Sequence, residues 1–292
     1  MLGSANLDLV FSVERIPAPG ETVLAVSTAT HAGGKGLNQA VASARAGAQT
    51  TMIGALGDDD AGRTLREVMG DAGINAQLVR VSSEPTGQAM IAVDPSAENS
   101  IIVAAGANAS LASLTDADVA ALHAAAVVLM QLEVPMQTVT DAALTAREAG
   151  SAVMLNAAPA QELSDALIAS LDYLIVNEHE AKVISAIDEL DAAITALALR
   201  VPRLVVTLGA DGSQLWEGGA LTATVPARRV TAVDTTGAGD TFCGAFAAAI
   251  SEGRDYEAAA RFATAAASLS VQSHGAVPSI PDRSEILAVL DE

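Results

Sequence analysis

Apolar positions change their period several times along the chain, and each change predicts an element. Near the C-terminal end, Phe242, Phe246 and Ile250 recur at helical spacing, after a short apolar run, Val230 to Val233, that predicts the end of a strand. Upstream, an apolar-periodic stretch predicts a helix over 37–46 that stops at Gly47. Leu9 to Val13 and Thr22 to Thr28 predict short strands on either side of the turn Ile16-Pro-Ala-Pro-Gly20. A strand from Thr50 to Ala55 leads into Gly57-Asp-Asp-Asp-Ala-Gly62. Three adjacent acids can suggest a metal site, but they fit better as the N-cap and acidic first turn of a helix ending near Gly73. Residues 88–93 and 100–103 flank Asp94-Pro-Ser-Ala-Glu-Asn99 as a hairpin. Together with the 9–28 strands they predict a small separate sheet interrupting the main fold.

From about Ala104 the pattern becomes regular. Helices over 115–126 and 136–149 and a helical stretch from about 179 to 200 alternate with strands over 127–131, 152–155, 173–176 and 203–207. The strands are apolar throughout, which predicts an α/β fold: one domain with a mainly parallel central sheet covered by helices on both faces. Only Met1 and Leu2 precede Gly3-Ser-Ala-Asn6-Leu-Asp8, so the opening strand is expected to be unusually short, as though its start were clipped. Open parallel sheets bind ligands at the carboxyl ends of their strands. Glu133, Asn156, Asn177, Thr207 and Asp234 all fall at such expected ends, which points to one shared site.

Composition narrows the classes. The 292 residues are 51% hydrophobic and 17% charged, enough for one large core. No apolar run approaches the roughly 18 residues of a membrane span. The first eight residues carry no basic stretch and reach Asp8, so no secretory leader is expected and a cytoplasmic protein is. A formal net charge of −20 repels nucleic acid and anionic lipid. Against that background the chain has two lysines, and Lys35 lies inside Gly33-Gly-Lys-Gly-Leu-Asn38, where a rare cation among glycines points to function. The single cysteine, Cys243, reads as a small residue packed in a helix, and the four histidines have no metal-ligand spacing.

Between Val233 and Phe242 lies Asp234-Thr-Thr-Gly-Ala-Gly-Asp240-Thr. Gly237 and Gly239 allow a sharp turn and close approach of a ligand. The first amides of the following helix have no intrahelical acceptor and sit at the positive end of its dipole, forming an anion site. An anion hole beside a carboxylate suits transfer of an anionic group onto a hydroxyl, with Asp240 taking the proton. Taken alone, the same residues also suit a plain helix cap. A Walker loop fails, because Gly34-Lys35 is followed by Gly36, and the dinucleotide fingerprint fails at Phe242.

Gly33-Gly-Lys-Gly-Leu-Asn38-Gln-Ala with Gly57-Asp-Asp-Asp-Ala-Gly62 resembles the first signature of the ribokinase (PfkB-type) family of carbohydrate kinases. Asp234-Thr-Thr-Gly-Ala-Gly-Asp240-Thr-Phe resembles its second signature, and Asn177-Glu-His-Glu180 its N-x-x-E element. The likeness extends over nearly the whole chain. Gly3-Ser-Ala-Asn6-Leu-Asp8, Pro19-Gly-Glu-Thr22, Gly106-Ala-Asn108, Gln131-Leu-Glu133, Asn156-Ala-Ala-Pro-Ala160 and Thr207-Leu-Gly209 direct it towards the ribose-phosphorylating members. The resemblance implies transfer of the ATP γ-phosphate to the 5-hydroxyl of D-ribose, with other pentoses, 2-deoxyribose or a nucleoside as alternatives. A regulator that binds but does not catalyse is the reading from another class.

The resemblance also implies roles. Asp240 would be the base, with the amides of Gly237, Ala238, Gly239 and Asp240 as the anion hole. Asn6, Asp8, Gly34, Lys35, Asn38 and Glu133 would hold the sugar hydroxyls. Asn177 and Glu180 would position the ATP phosphates and Mg²⁺, Thr207, Gly209, Gly212 and Gly239 would line the nucleotide cleft, and Thr264 would flank the adenine. A monovalent cation, K⁺, would sit at Asp234, Thr236, Ser270, Ser273, Gly275 and Ser279. The sheet from about 9–32 and 84–103 would be a lid that excludes water and clasps a second copy in a homodimer. The chain departs from the family pattern at Ala157, where proline is usual, and at Cys243, where asparagine is common.

Overall fold

The computed structural model describes residues 1–96 and 98–290. Ala97, inside the turn expected at 94–99, lies outside the described residues. In chain order the elements are β1 (Asn6–Val13), β2 (Ala25–Gly33), α1 (Lys35–Arg45), β3 (Thr51–Gly57), α2 (Asp60–Asp71), β4 (Asn75–Ser82), β5 (Gly87–Val93) and β6 (Asn99–Ala104). Then come α3 (Asp116–Ala124), β7 (Val127–Met130), α4 (Met136–Glu148), β8 (Ala152–Asn156), α5 (Asp165–Ser170), β9 (Tyr173–Asn177), α6 (Glu178–Ser185) and α7 (Leu190–Ala198). The last third holds β10 (Arg203–Thr207), β11 (Ser213–Glu217), β12 (Ala220–Val225), α8 (Ala238–Ser251), α9 (Tyr256–Ser270), α10 (Ala276–Ser279) and α11 (Arg283–Leu290).

The large sheet runs β12-β11-β10-β9-β8-β7, parallel from β10 to β7 and antiparallel at β11 and β12. Leu2 bridges Met130 on one side and Ile53 on the other, so the parallel pair β3-β4 continues the sheet. Alternate strand residues bury in opposite layers, as the two-residue period of a strand requires. Val128, Val153, Leu155, Val176 and Val206 pack with helices α4 to α7. Their neighbours Leu129, Met154, Ile175 and Val205 pack with Phe242, Phe246 and Phe262 of α8 and α9. The expected α/β sheet, covered on both faces, is what forms.

The second sheet has the order β2-β1-β5-β6, with β1 and β5 parallel and the outer pairs antiparallel. It joins the 9–28 region to the 88–103 hairpin, as the alternating pattern anticipates. β6 is exposed along its whole length, and β2 from Ala25 to His31.

Four expectations need correction. Val230 to Val233 form no strand; the amides of Val233 and Asp234 both donate to the Val271 carbonyl beyond α9, at 2.7 and 3.2 Å, so a helix end and not a sheet neighbour holds them. Asp234 therefore does not stand at a strand end. The helical stretch 179–200 is two helices, broken where Ala186 takes a left-handed conformation (φ 56°) and Glu189 caps α7. The second strand starts at Ala25 and runs through Gly33, three residues later than expected, because its partner β1 begins at Asn6 and pairs with Gly33. The opening residues make isolated bridges at Leu2 in place of a short strand. No helix among the described residues is long and apolar enough to cross a membrane.

Candidate active site

β1 and α1 meet where the backbone has no room for side chains. Gly34 has φ 87°, and a Cβ there would lie 2.7 Å from the Asn6 amide nitrogen. A Cβ on Gly33 would lie 2.1 Å from Asp8 Oδ2, so that glycine makes room for the Asp8 carboxylate. Ser4 donates its hydroxyl to Glu133 Oε2 (2.6 Å), and the Lys35 amide donates to the same oxygen (3.0 Å), tying the start of α1 to the segment that follows β7. Asn108 donates from Nδ2 to Asn6 Oδ1 (2.7 Å) and accepts from the Ala5 amide (3.0 Å), fixing the Asn6 amide from behind. Asn108 lies in the Gly106-Ala-Asn108 segment; its role as a brace was not legible from residue type.

These contacts gather Asn6, Asp8, Gly34, Lys35, Asn38, Glu133 and Asp240 at one end of the large sheet. Their charges interact. Burial, then Glu133 and Asp240, push the Asp8 carboxyl up to about 7. Burial would lower the Lys35 ammonium, but Asp240, Glu133 and Glu180 outweigh it and raise its pKa. Burial raises Glu180, with the Asp240 charge adding to it. Burial first, then Asp240, pushes the Cys243 thiol well up, which leaves the expected inert packed residue.

Asp240 sits in the first turn of α8, 8% exposed. Its Oδ2 accepts from Asn38 Nδ2 (3.0 Å) and its Oδ1 from Gln39 Nε2 (2.8 Å). Asn38 Oδ1 is buried and has no partner among the described residues. Gly237 caps the helix in the left-handed region (φ 74°), and a Cβ there would lie 2.9 Å from Ala276 Cβ. Ala238 donates its amide back to Thr235 (3.2 Å), while those of Gly239 and Asp240 find no acceptor among the described residues. Around Gly239 a Cβ would meet open space. Of the four amides expected to form an anion hole, those of Gly239 and Asp240 are without an acceptor among the described residues, whereas that of Ala238 is taken by Thr235.

A cleft of about 1010 Å³ opens beside that turn. Asn177, Thr207, Gly209, Gly212, Gly239 and Thr264 line it, as expected. Glu180 does not line it; it lies behind, within reach of the charges of Lys35 and Asp240. The N-x-x-E element is also a capping box. Asn177 Oδ1 accepts from the Glu180 amide and Glu180 Oε2 accepts from the Asn177 amide, both at 2.8 Å, so each side chain keeps one polar atom for other use. Gly212 is required by backbone, because a Cβ would lie 2.0 Å from the Val225 carbonyl. Thr264 Oγ1 is buried without a partner. His179, Lys182, Arg228 and Arg229 also line the cleft; residue type alone gave no reason to select them.

Of the residues expected at a cation site, Asp234 accepts from Thr236 (2.9 Å) and Gly275 (2.8 Å), and the Ser273 amide donates to the Ser270 carbonyl (3.4 Å). Although burial works against it, the amide donors hold the Asp234 carboxyl below its usual range. Ser279 turns its hydroxyl to the Ala276 carbonyl (2.8 Å). No cluster of three or more His, Cys, Asp or Glu that could hold a metal occurs among the described residues.

Unbonded amides at a helix start, a carboxylate braced by side-chain amides and an adjoining cleft are an arrangement that suits a phosphoryl-transfer enzyme. A profile of the pfkB family carbohydrate kinases matches residues 1–283, and the chain belongs to that family. It is 40% identical to a ribokinase of Haemophilus influenzae over 302 aligned positions, covering 100% of this chain and 97% of the relative. It is 36% identical to a deoxyribokinase of Salmonella typhi, covering 96% of this chain and 94% of the relative. The structure of Arabidopsis thaliana ribokinase complexed with ribose and ATP superposes with a TM-score of 0.93 at 37% identity, covering 100% and 97% of the two chains.

Proposed function

We propose that the protein transfers the γ-phosphate of ATP to the 5-hydroxyl of D-ribose, releasing ADP and D-ribose 5-phosphate. The observation that carries this reading is the Asp240 carboxylate, braced by Asn38 and Gln39 one residue from the free amide of Gly239. The full-length similarity to ribokinases supports ribose as the acceptor.

Asn6, Asp8, Lys35, Asn38 and Glu133 hold the pentose. A polyol both donates and accepts, and acceptors such as the half-buried Asp8 carboxylate and the buried, unpartnered Asn38 Oδ1 are costly to leave unmatched. As the hydroxyl oxygen forms its bond to the γ-phosphorus, the bond to the β,γ-bridging oxygen breaks and the proton passes to Asp240. The Gly239 and Asp240 amides face the charge on the transferring group. Lys35, cationic and half-buried near Asp240, adds a positive charge on the sugar side.

After their capping box Glu180 keeps carboxylate oxygen Oε1, a hard donor of the kind that would suit Mg²⁺, and Asn177 keeps Nδ2, which can donate to a phosphate oxygen. When bound with the nucleotide, that ion neutralises charge on the phosphates. The loop tied by Asp234 to Thr236 and Gly275 offers carboxylate and carbonyl oxygens of the kind that suit K⁺. We place the reaction in the cytoplasm, since the one cysteine is free and buried and the chain does not depend on oxidation. The small sheet acts as a lid on the sugar site. Its Val26, Met90, Ile101, Ile102 and Val103 are exposed, which is the surface a second copy would cover in a homodimer. Sedimentation should give a dimer that Ile102→Asp converts to monomer; a monomeric wild type would sink the dimer.

The test of function is a coupled ADP-release assay with Mg²⁺-ATP and D-ribose, 2-deoxyribose, fructose or adenosine, each with potassium and with sodium. Ribose turnover far above the rest, raised by potassium, is expected. A stronger 2-deoxyribose response would keep the mechanism and overturn the substrate.

A further inference from the structure

Asn38 and Gln39 are adjacent on α1, yet both reach the carboxylate on α8. Two helices seldom come that close, and a glycine explains it. A Cβ on Gly244, one turn beyond Asp240, would lie 2.4 Å from the Gln39 carbonyl oxygen and 2.6 Å from Ala42 Cβ. In its own first turn α1 carries Gly36, where a Cβ would lie 2.5 Å from the Ser4 amide nitrogen. The position of α1 is therefore set by close backbone contact with two neighbours, α8 and the segment before β1.

Gln39 is completely buried, as is Gln131. Its Nε2 donates to Asp240 Oδ1 (2.8 Å) and to Asn156 Oδ1 (3.0 Å), while its Oε1 accepts from Gln131 Nε2 (2.6 Å). The direction of this chain is forced. An ionised carboxylate can only accept, so Nε2 must face Asp240, Oε1 must face Gln131, and Gln131 must donate. Gln131 follows β7 and Asn156 ends β8, so the chain fastens the α8 carboxylate to the rigid sheet. Asp8, Lys35 and Glu180 act on Asp240 only through space; no other hydrogen bond reaches its oxygens among the described residues.

We propose that Gln39 is a positioning residue for phosphoryl transfer: anchored by Gln131 and Asn156, it fixes the Asp240 carboxylate facing the acceptor hydroxyl, and the Gly244 contact sets its reach. This rests on Asp240 acting as the base. Gln39 touches no substrate in this role, so its effect belongs in kcat and should vanish when Asp240 can no longer take a proton.

The test compares Gln39→Met in the wild-type and Asp240→Asn backgrounds, measuring kcat and both KM values on folded, dimension-matched samples checked by circular dichroism. In the wild-type background kcat should fall about 100-fold, as for a misplaced reacting group, with KM for ribose and ATP within about twofold. In the Asp240→Asn background the same substitution should change the residual rate by less than about twofold. Equal losses in both backgrounds, or a rise in KM at unchanged kcat, would overturn the proposal. Full turnover by Asp240→Asn alone would overturn the base assignment and the proposal with it. If Gln39→Met does not fold, Gln131→Leu cuts only the outer link. It should lower kcat about fivefold with the same dependence on Asp240, and an unchanged kcat there would count against the relay.

Discussion

The proposed sugar side and nucleotide side of the candidate active site are built from different parts of the chain. On the proposed sugar side, the polar side chains are already wired together by hydrogen bonds within the protein. Asn108 braces Asn6, Ser4 and Lys35 share Glu133, and Asn38 and Gln39 share Asp240. On the proposed nucleotide side the walls are the unbonded amides of Gly239 and Asp240, a glycine at position 212 where a Cβ cannot fit, and hydroxyls such as Thr264 that hold nothing in place. A sugar is recognised by where its hydroxyls point, which demands fixed side chains. A triphosphate is recognised by charge, which backbone amides and a helix dipole supply without residue identity.

Substitutions on the two sides should therefore differ in size. The largest effect belongs to Asp240→Asn, which should lower kcat by about 1,000-fold, within the range for a lost general base, with ATP affinity by calorimetry nearly unchanged. A wild-type rate would sink the base assignment. Next, Asp8→Ala should raise KM for ribose roughly 50-fold, the loss of a hydrogen bond to a charged group, with KM for ATP hardly altered; equal weakening of both ligands would remove Asp8 from the sugar side.

Asp8 also predicts a pH dependence of its own. With its carboxyl raised to about 7, the fraction ionised grows between pH 6 and pH 8, so an accepting Asp8 gains strength as pH rises. KM for ribose should fall roughly tenfold over that interval, and Asp8→Asn should flatten the curve. A pH-independent KM in the wild type would contradict the buried, acid-flanked setting. The smallest effect belongs to the cleft. Thr264→Val removes a hydroxyl with no partner, so KM for ATP should move by less than about threefold. A much larger change would mean that the nucleotide side also relies on fixed side chains.

The contrast explains what could be read in advance. Asp240 and Lys35 could be singled out as candidates because few side chains can take a proton or carry a positive charge and both lie in glycine-marked turns, whereas Asn38 and Glu133 took their expected roles from the family resemblance. Gln39 stood in the same motif but was given no role, since its work depends on α1 lying against α8. Asn177 and Glu180 were read as phosphate and metal groups, and the structure adds their capping box, a local pattern that spacing alone could have suggested. The Val230–Val233 run misled because an exposed apolar segment whose backbone bonds to a helix end has the same residue types as a strand end.

By itself the sequence determined the elements with a strong period, the α/β class, the anion turn and the two signature motifs, because these depend on neighbours within a few residues. The tertiary structure alone decided that Leu2 joins β7 to β3 and that Gly244 admits α1 to the base. It also decided that Asn38 and Gln39 of α1 close on the α8 carboxylate, with Gln131 and Asn156 at the ends of neighbouring strands holding Gln39 from behind. Those are contacts between segments up to about two hundred positions apart, where only packing, and no local preference, can bring donor to acceptor.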